Sequence, residues 1–471
     1  MKTIKTAARC AAFFALLAFI TVNLYQVLSW KDTMGITGLY RFPPDSTDVL
    51  FVGSSHSYCS VNTALLWRNH GIAARDIAEA GQVFPASYHY LREALKTQHP
   101  RVVFVELYGF DLTIRPSTGN HYRNTLNMRW SENYVGNLDG VLSTVETKAG
   151  GEDLSDVRKR IMLKFPVVHT RYSEVTRADF EGDDSKLRYL SRWTTSTFDP
   201  PEALGETGVE ALTDAQRQSL DELVALARQH NFRLVLWMAP YMLTTGKMKV
   251  FNAVEQYAAE NGVECQNLLK RVDELGFDFS ADMRYEPKKG GHMNVYGAQK
   301  VTRYFGDLLA AGGDLPDRRG DPGYAWYDEM SREWDVRVAA QAMDEAKDLK
   351  AYAEAVDPEL IDTTVICRHP EALKADLPVW SGLFGTCDDV EGVYTQVPRD
   401  RLTGVWELAD GLVLKVPDDD VARAVLYEGA KEIDLKDCDL CVVTVDRRTG
   451  KVLDRTEFVG KGEKYKRRKK G

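Results

Sequence analysis

A serine and a histidine that lie far apart in the sequence both occur in segments suited to nucleophilic catalysis. In residues 48–57 the apolar run Val-Leu-Phe-Val leads directly into Gly-Ser-Ser. A strand that ends in this way can turn sharply and expose a hydroxyl at its carboxyl end, where open α/β sheets place their ligands. Residues 290–298 carry a histidine in a glycine-rich approach to a helix. A serine becomes a good nucleophile when a histidine takes its proton, so we predict a serine acyl-transfer site.

Individual roles follow from position within these two segments. We assign Ser55 as the nucleophile, with Ser54 as the alternative, and His292 as the general base. Asn294 is predicted to cap the helix that follows, which would let the imidazole face the ends of the strands. His56 adjoins the serine in sequence, but on a turn its side chain points elsewhere, so we interpret it as structural.

The emerging oxyanion needs hydrogen-bond donors, and a third segment could supply them. The stretch Ala-Gly-Gln-Val at residues 80–83 follows a predicted strand at Ile77 and Ala78. The backbone N–H of Gly81 and the side-chain amide of Gln82 could complete an oxyanion hole with the N–H of Ser55.

The elements that must position these residues alternate between strands and helices over residues 45–309. Apolar runs predict buried strands, and amphipathic spacing predicts helices between them, which favours a parallel sheet with right-handed crossovers. The predicted strands are 49–52, 101–107, 233–238 and 263–265, and the predicted helices include 87–97, 213–229, 251–261 and 294–310. In a doubly wound sheet of this kind, the serine and histidine segments can converge.

The remaining segments do not show this alternation of strands and helices. Residues 112–199 are aromatic and polar and form an insertion, either a lid over the site or a helical subdomain without contact to it. Residues 313–358 read as a linker and a charged helical segment. Residues 359–460 are predicted as a mostly β accessory domain. The basic tail, 461–471, is either a solvated end or an arm for an anionic polymer or membrane.

Taken together, the segments resemble the SGNH/GDSL-like hydrolase family over about residues 45–310. In that family the first block is Gly-Asp-Ser or Gly-Ser-Ser, which matches Gly53-Ser54-Ser55, and the last block carries the histidine, here His292. The donors of the middle blocks map to Gly81 and Gln82. The resemblance implies an α/β fold of three layers, α/β/α and flavodoxin-like, and ester hydrolysis or transfer without a metal or other cofactor. The layout is similar to the membrane-anchored branch that includes the D-alanyl transfer protein of teichoic-acid modification and alginate-type O-acetyltransferases.

One position departs from the pattern of the family. The family usually has an aspartate three residues before the histidine, where this chain has Lys289. Asp282 and Glu286 lie upstream, and either could serve if residues 285–289 loop out; we assign Asp282 as the acid of the triad. A serine–histidine dyad without an acid, or a site that has lost its activity, are the alternatives, since loss of the orienting carboxylate cost about 10⁴ in rate in a serine protease.

The N-terminus carries a membrane signal. Lys2, Lys5 and Arg9 precede an apolar run at residues 10–28 that is about the length a bilayer requires. Basic residues before the run predict that the N-terminus lies inside and the remaining chain outside the cell membrane. A cleaved signal peptide is the alternative, but no clear cleavage site follows the run. We therefore expect residues 1–31 to form a cytoplasmic stub and a single-pass anchor.

Composition restricts the other possibilities. The chain has a net charge of −9, and its body shows no basic surface for nucleic acid. The Gly-Ser-Ser-His stretch lacks the glycines and the lysine of a phosphate-binding loop. Six cysteines lie outside the anchor, and their pairing cannot be read from the sequence. We expect no metal site at Cys438 and Cys441, because a second pair of ligands is missing.

These observations leave two functional hypotheses. The first is a membrane-anchored, extracytoplasmic acyltransferase or esterase that acts on acetyl-like or D-alanyl-like groups of a cell-envelope polysaccharide or teichoic acid. A multi-spanning membrane protein that delivers the acyl group is a partner implied by the resemblance. The second hypothesis is a catalytically degenerate binding or scaffold protein of an envelope-modification complex, which Lys289 would favour.

Overall fold

The computed structural model describes residues 2–29, 34–146, 153–176, 178–181, 185–286, 291–367, 392–395, 404–409, 411–416, 425–433, 440–461 and 464–468. Lys289, Cys387 and Cys438 lie outside these ranges. The chain forms two compact units, Met1–Ser331 and Arg332–Gly471.

The first unit is built on a five-stranded parallel sheet. Its strands are β1 (Val49–Val52), β2 (Ala74–Asp76), β3 (Val102–Glu106), β4 (Arg233–Met238) and β5 (Glu264–Asn267). They lie in the order β2-β1-β3-β4-β5, and every neighbouring pair is parallel. This is the flavodoxin-like order, in which ligands bind outside the carboxyl ends of the strands. The predicted α/β class with a parallel sheet is confirmed, although the second strand ends at Asp76 rather than running through Ile77 and Ala78.

Helices flank this sheet and build the insertion. Those preceding the insertion are α1 (Lys2–Leu28), α2 (Met34–Leu39), α3 (Ser55–Ser60), α4 (Thr63–His70) and α5 (Phe84–Ala94). The insertion contributes α6 (Asn120–Leu126), α7 (Glu132–Ser143), α8 (Leu154–Leu163), α9 (Phe165–Val168) and α10 (Ala178–Glu181). The helices that follow it are α11 (Asp214–His230), α12 (Thr245–Asn261), α13 (Val272–Leu275) and α14 (Val295–Gly312). The next helix, α15 (Ala325–Glu345), begins in the first unit and continues into the second.

The core of the first unit explains why its three central strands, β1, β3 and β4, are mostly apolar. Phe51 of β1 stacks on Phe104 of β3, with ring centroids 4.6 Å apart, and both rings meet Phe305 of α14. Trp237 of β4 closes the cluster at 5.0 Å from Phe305, and all four rings are fully buried. Strands buried on both faces need apolar side chains at every position, and this packing fixes α14 against the sheet.

The second unit is mostly antiparallel β structure, as predicted for the C-terminal region. It contains α16 (Leu349–Ala355) and the strands β6 (Ile361–Cys367), β7 (Gly392–Thr395), β8 (Gly404–Ala409), β9 (Leu412–Val416), β10 (Val425–Glu428), β11 (Lys431–Ile433), β12 (Leu440–Asp446), β13 (Val452–Lys461) and β14 (Lys464–Arg467). Two sheets form, ordered β14-β13-β12-β6-β7 and β11-β10-β9-β8. The basic tail is therefore part of a sheet at β14, where Arg467 pairs with Asp454 at 2.9 Å.

Candidate active site

A sharp turn at the carboxyl end of β1 presents the two serines differently. Gly53 has a φ of +155°, and Ser54 then caps α3, its Oγ accepting from the N–H of His56. Ser54 also donates from its backbone N–H and its Oγ to Glu106 Oε2, at 3.0 and 2.6 Å. Ser54 is thus buried and fixed, whereas Ser55, the first residue of α3, is partly exposed.

His292 lies directly against this exposed serine. Its Nε2 is 2.7 Å from Ser55 Oγ, although 237 positions separate the two residues. Asn294 caps α14 by accepting from the N–H of Gly297, as predicted, and its side-chain amide donates to the carbonyl of Ala281. The structure therefore brings together the predicted nucleophile and base in a geometry suited to proton transfer. Their catalytic roles stay a prediction.

The carboxylate that faces the histidine is Glu286 and not Asp282. Glu286 Oε1 lies 2.7 Å from His292 Nδ1, on the side of the ring opposite Ser55. Asp282 is buried elsewhere: its Oδ2 accepts from Lys300 Nζ and from the N–H of Asp278, each at 2.7 Å. The assignment of Asp282 as the acid is corrected on this ground, since its carboxylate is already bound by Lys300 and has no contact with the imidazole.

Arg284 completes the polar cluster around the imidazole. Its Nε donates to Glu286 Oε1 at 2.6 Å, and its Nη2 lies 3.1 Å from His292 Nδ1. Burial raises the pKa of Glu286, but the hydrogen bonds and charges of His292 and Arg284 outweigh it and lower that pKa below the usual value. Glu286 is therefore ionised, and it can accept the Nδ1 proton and orient the ring.

The two predicted oxyanion donors are placed differently. Gly81 is partly exposed, with a φ of +59°. Gln82 is fully buried: its side-chain amide donates to Ser87 Oγ at 3.1 Å and its N–H to the carbonyl of Glu79. Gln82 therefore supports the loop from inside instead of presenting its amide to the serine.

A side-chain amide from the insertion lies next to Gly81 instead. A Cβ added to Gly81 would come within 2.2 Å of Asn120 Nδ2, so only glycine permits this approach. Asn124, one turn further along α6, accepts from the N–H of Val83 and holds the same loop. Nothing in the sequence indicated Asn120, because it begins a short helix, α6, in an insertion whose only signal was its polarity.

His56 forms an aromatic wall behind the imidazole of His292. Its ring stacks on Tyr108 at 4.1 Å and on His292 at 4.8 Å, and Tyr241 packs beside it at 4.6 Å. Burial, followed by the nearby charge of His292, holds the pKa of His56 well below its ordinary value. A Cβ at Gly291 would lie 2.8 Å from His56 Nε2, which explains the glycine before His292. His56 thus packs against the base as a neutral ring.

The insertion contributes both to the helical layer and to the site. Its last segment, residues 190–195, runs between the nucleophile helix and the histidine loop. The N–H of Leu190 donates to the carbonyl of Tyr58 at 3.1 Å, and the N–H of Val295 donates to the carbonyl of Arg192 at 2.9 Å. Neither alternative for the insertion is sufficient alone, since the insertion is helical and also bonds to the segments that carry Ser55 and His292.

Buried carboxyl groups lie under the nucleophile turn and make its stability depend on pH. Burial raises the pKa of Glu106 to about 7, against the lowering effect of the hydrogen bonds from Ser54 and Tyr108. Because burial favours the protonated form of Glu106, this carboxyl group contributes its full stabilisation below its unfolded-state pKa, near 4.3. That contribution is lost as the pH rises through the folded-state pKa of about 7.

We therefore expect Glu106→Gln to remove part of the pH dependence of unfolding. The stabilisation that Glu106 loses between its unfolded-state and folded-state pKa values, about 2.5 pH units apart, is on the order of 3 kcal/mol. The variant should be less stable than wild type at pH 4.5, and this deficit should shrink towards pH 7.5. Urea unfolding at both pH values measures it, and the exposed Glu260→Gln serves as the control. An equal deficit at both pH values would contradict the prediction.

Comparisons with known proteins give only distant likenesses. No protein-family model and no curated protein matches the chain. Among solved structures, the chain is similar to a Bacteroides fragilis protein provisionally described as an acylhydrolase, with a TM-score of 0.30 and 11% identity over 60% of this chain and 98% of that one. It is also similar to an acetyl xylan esterase from the rumen bacterium Butyrivibrio proteoclasticus, with a TM-score of 0.22 and 10% identity over 57% of this chain and 64% of that one. The functional proposal therefore rests on the geometry of the site.

Proposed function

We propose that this protein is a serine ester hydrolase or O-acyltransferase. The observation that carries the proposal is the continuous relay from Ser55 Oγ through both ring nitrogens of His292 to Glu286, with 2.7 Å at each step. The relay lies at the carboxyl ends of the parallel strands, where this fold class places its ligands. Acyl transfer requires a nucleophile, a base and an orienting carboxylate, and these contacts join the three groups in that order.

The reaction would proceed in two halves. Ser55 Oγ attacks the acyl carbonyl while His292 Nε2 takes its proton, and the leaving alcohol receives that proton as the ester bond breaks. Water or a sugar hydroxyl then attacks the acyl-serine, with His292 again taking a proton and returning it to Ser55. Glu286 stabilises the imidazolium formed in each half.

Developing negative charge on the carbonyl oxygen needs donors beside Ser55. We assign this role to three groups, which are the N–H of Ser55 at the start of α3, the N–H of Gly81 and the amide of Asn120. Each donor removed from an oxyanion hole costs roughly 10²–10³ in rate in well-studied hydrolases. Asn120 replaces Gln82 in this assignment, because Gln82 is committed to Ser87.

The N-terminal helix supports a location at the cell membrane. Residues Ala8–Leu28 are long and apolar enough to cross a bilayer, a test that a signal sequence also passes, and the side chains from Phe13 to Leu24 are largely exposed. We propose that α1 is retained as an anchor, with the rest of the first unit and the second unit outside the cell. The substrate class that fits this position is an O-acylated cell-envelope glycan or teichoic acid, and a multi-spanning acyl-donor protein is the partner that we propose.

Fluorophosphonate labelling of the full-length chain tests the activated serine. We expect wild type to be labelled and Ser55→Ala and His292→Ala to remain unlabelled. The controls are Ser219→Ala, at a half-buried position of α11, and His230→Gln, at its exposed end, and both should label like wild type. Folded wild-type protein that fails to react would contradict the proposal and favour the scaffold hypothesis.

A further inference from the structure

Among the described residues of the first unit beyond α1, the four most exposed large apolar side chains all lie in the insertion. They are Trp130, Leu163, Tyr172 and Phe180, which are 61%, 68%, 75% and 69% exposed. A single apolar side chain on a surface needs no explanation, whereas several that lie together mark a binding surface. Whether these four lie together depends on how the segments that carry them are held.

Trp130 and Leu163 lie side by side near the last turn of α1. The Nε1 of Trp130 donates to the carbonyl of the residue before Leu163 at 3.1 Å. Lys164, the residue after Leu163, donates from its Nζ to the carbonyl of Leu126 at 2.9 Å, and the hydroxyl of Tyr25 donates to the same carbonyl at 2.8 Å. The Nζ of Lys164 also lies 5.7 Å from the centroid of the Tyr25 ring. These contacts hold both apolar side chains beside Tyr25 of α1.

Tyr172 and Phe180 are held to the same turn of α1 by one arginine. Arg171, the residue before Tyr172, donates from its Nη1 to the carbonyls of Leu28 and Ser29 at 2.7 and 2.8 Å. Its Nη2 donates to the carboxylate of the residue before Phe180 at 3.2 Å. Because residues 25 and 28 lie on one turn of a helix, all four apolar side chains lie at the same level of α1. We refer to these four side chains as the apolar patch.

The level of the apolar patch along α1 indicates what covers it. Residues Ala8–Leu28 are long and apolar enough to cross a bilayer, and exposed apolar side chains continue along α1 as far as Leu24. If α1 spans the bilayer, its last turn lies in the polar interface, a layer roughly 5–8 Å thick on each side of the hydrocarbon core. Trp and Tyr are the side chains that favour this interface, and Phe and Leu can reach the first acyl carbons below it.

We propose that the apolar patch lies in the extracytoplasmic interface of the bilayer, so that the insertion holds the first unit against the membrane together with α1. The inference rests on the anchoring role of α1 in the proposed function. The insertion also bonds, through residues 190–195, to the segments that carry Ser55 and His292. Contact of the insertion with the bilayer would therefore restrict how far the serine can move from the membrane surface.

Photo-crosslinking of the full-length chain in phosphatidylcholine nanodiscs tests this surface. The probe is a phosphatidylcholine that carries a diazirine on the acyl carbons next to the glycerol, and mass spectrometry of peptides locates the labelled residues. We expect labelling in α1 and in the apolar patch. Labelling of the patch should exceed by at least 10-fold the labelling of Val209 and Tyr296, which are exposed apolar side chains elsewhere in the first unit.

A triple variant measures the contribution of the apolar patch itself. Leu163→Ser/Tyr172→Ser/Phe180→Ser should reduce the labelling of Trp130 by about 10-fold, because the insertion then has little apolar surface to hold it in the interface. All three side chains are largely exposed, so the variant should fold, which circular dichroism checks. The control variant, Val209→Ser/Tyr296→Ser, should keep the wild-type labelling of Trp130.

Three results would overturn the proposal. Labelling confined to α1 would indicate that the bilayer does not cover the apolar patch. Crosslinks between two copies of the chain at the patch would show that a second copy covers it. An equal loss of Trp130 labelling in both variants would show that the loss is not specific to the patch.

The same sample separates this inference from the proposed function. A chain whose α1 is not labelled would show that anchoring fails, whereas a labelled α1 beside an unlabelled patch would show that only the present inference fails. Fluorophosphonate labelling of the sample reports on the serine independently.

Discussion

Glu286→Gln is expected to reduce ester hydrolysis and fluorophosphonate labelling by about 10³–10⁴-fold while the fold is retained. The carboxylate accepts the proton on His292 Nδ1, which leaves Nε2 free to accept the proton of Ser55. With a carboxamide at 286, the nearest strong donor to Nδ1 is Arg284 Nη2, 3.1 Å away. A donor at Nδ1 makes that nitrogen an acceptor and moves the proton to Nε2. The ring is then held in the tautomer that cannot act as a base, the cause of the roughly 10⁴-fold loss in the serine-protease example.

The measurement is the second-order rate constant for labelling of the full-length chain, compared across four variants. Glu286→Asp should recover part of the rate, because its shorter carboxylate can still accept from Nδ1. Glu274→Gln alters an exposed carboxylate in the same region and should match wild type. A rate for Glu286→Gln within 10-fold of wild type would show that the enzyme works as a serine–histidine dyad.

The fourth variant, Asp282→Asn, separates stability from catalysis. Its carboxylate binds Lys300 and the N–H of Asp278 and is only 2% exposed. Removing its charge should lower the free energy of unfolding by about 1–3 kcal/mol. The labelling rate of the folded protein should stay near that of wild type. A large rate loss without loss of stability would restore Asp282 as the acid.

The fold and the meeting of Ser55 with His292 could be predicted from the sequence, because both follow from local patterns. Continuous apolar runs mark strands buried on both faces. Ser55 follows such a strand, and His292 precedes the amphipathic helix α14. Those boundaries converge at one edge of any doubly wound sheet, so their meeting follows from topology. No side-chain detail was needed to place them.

The carboxylate that contacts His292 could not be predicted, because its position depends on a loop. The Met283–Met293 bridge and the bond from the N–H of Arg284 to the carbonyl of His292 pair two short antiparallel segments. That pairing places Glu286 beyond the bridge, beside the imidazole, and leaves Asp282 next to α14 and Lys300. Spacing along the chain carried no information about this pairing. Lys289 therefore suggested that the acid was lost, although Glu286 lies 2.7 Å from His292 Nδ1.

The predicted oxyanion donors could be placed only in part from the sequence, for a different reason. Gly81 was predicted from its place after a strand, but the side-chain direction of Gln82 depends on the packing of α5, where Ser87 accepts its amide. Asn120 comes from the insertion, whose sequence has no repeating pattern. A helix as short as α6 leaves no clear periodic signal, so only the folded chain shows that Asn120 lies beside Gly81.

Gly53→Ala is expected to destabilise the first unit by about 3–5 kcal/mol, because this glycine makes the nucleophile turn possible. Its φ of +155° is strained for any residue with a Cβ, which costs about 1–3 kcal/mol. The added Cβ would also lie 2.4 Å from Glu106 Cβ, in a fully packed core, and relieving that contact costs a similar amount. Glu106 cannot retreat without breaking its bonds to Ser54, so the clash is transmitted to the position of Ser55.

Thermal unfolding and labelling of the full-length chain measure this effect together, with Gly246→Ala as the matched control. Gly246 lies near the start of α12, is exposed, and has nothing within 4 Å of an added Cβ. Alanine there should be neutral or stabilising by up to about 1 kcal/mol, because alanine favours helices. Any Gly53→Ala protein that folds should also label more slowly, since its serine is displaced from His292. Wild-type stability together with wild-type labelling would mean that β1 and α3 join through a different turn. The contacts proposed among Ser55, His292 and Glu286 would then be wrong.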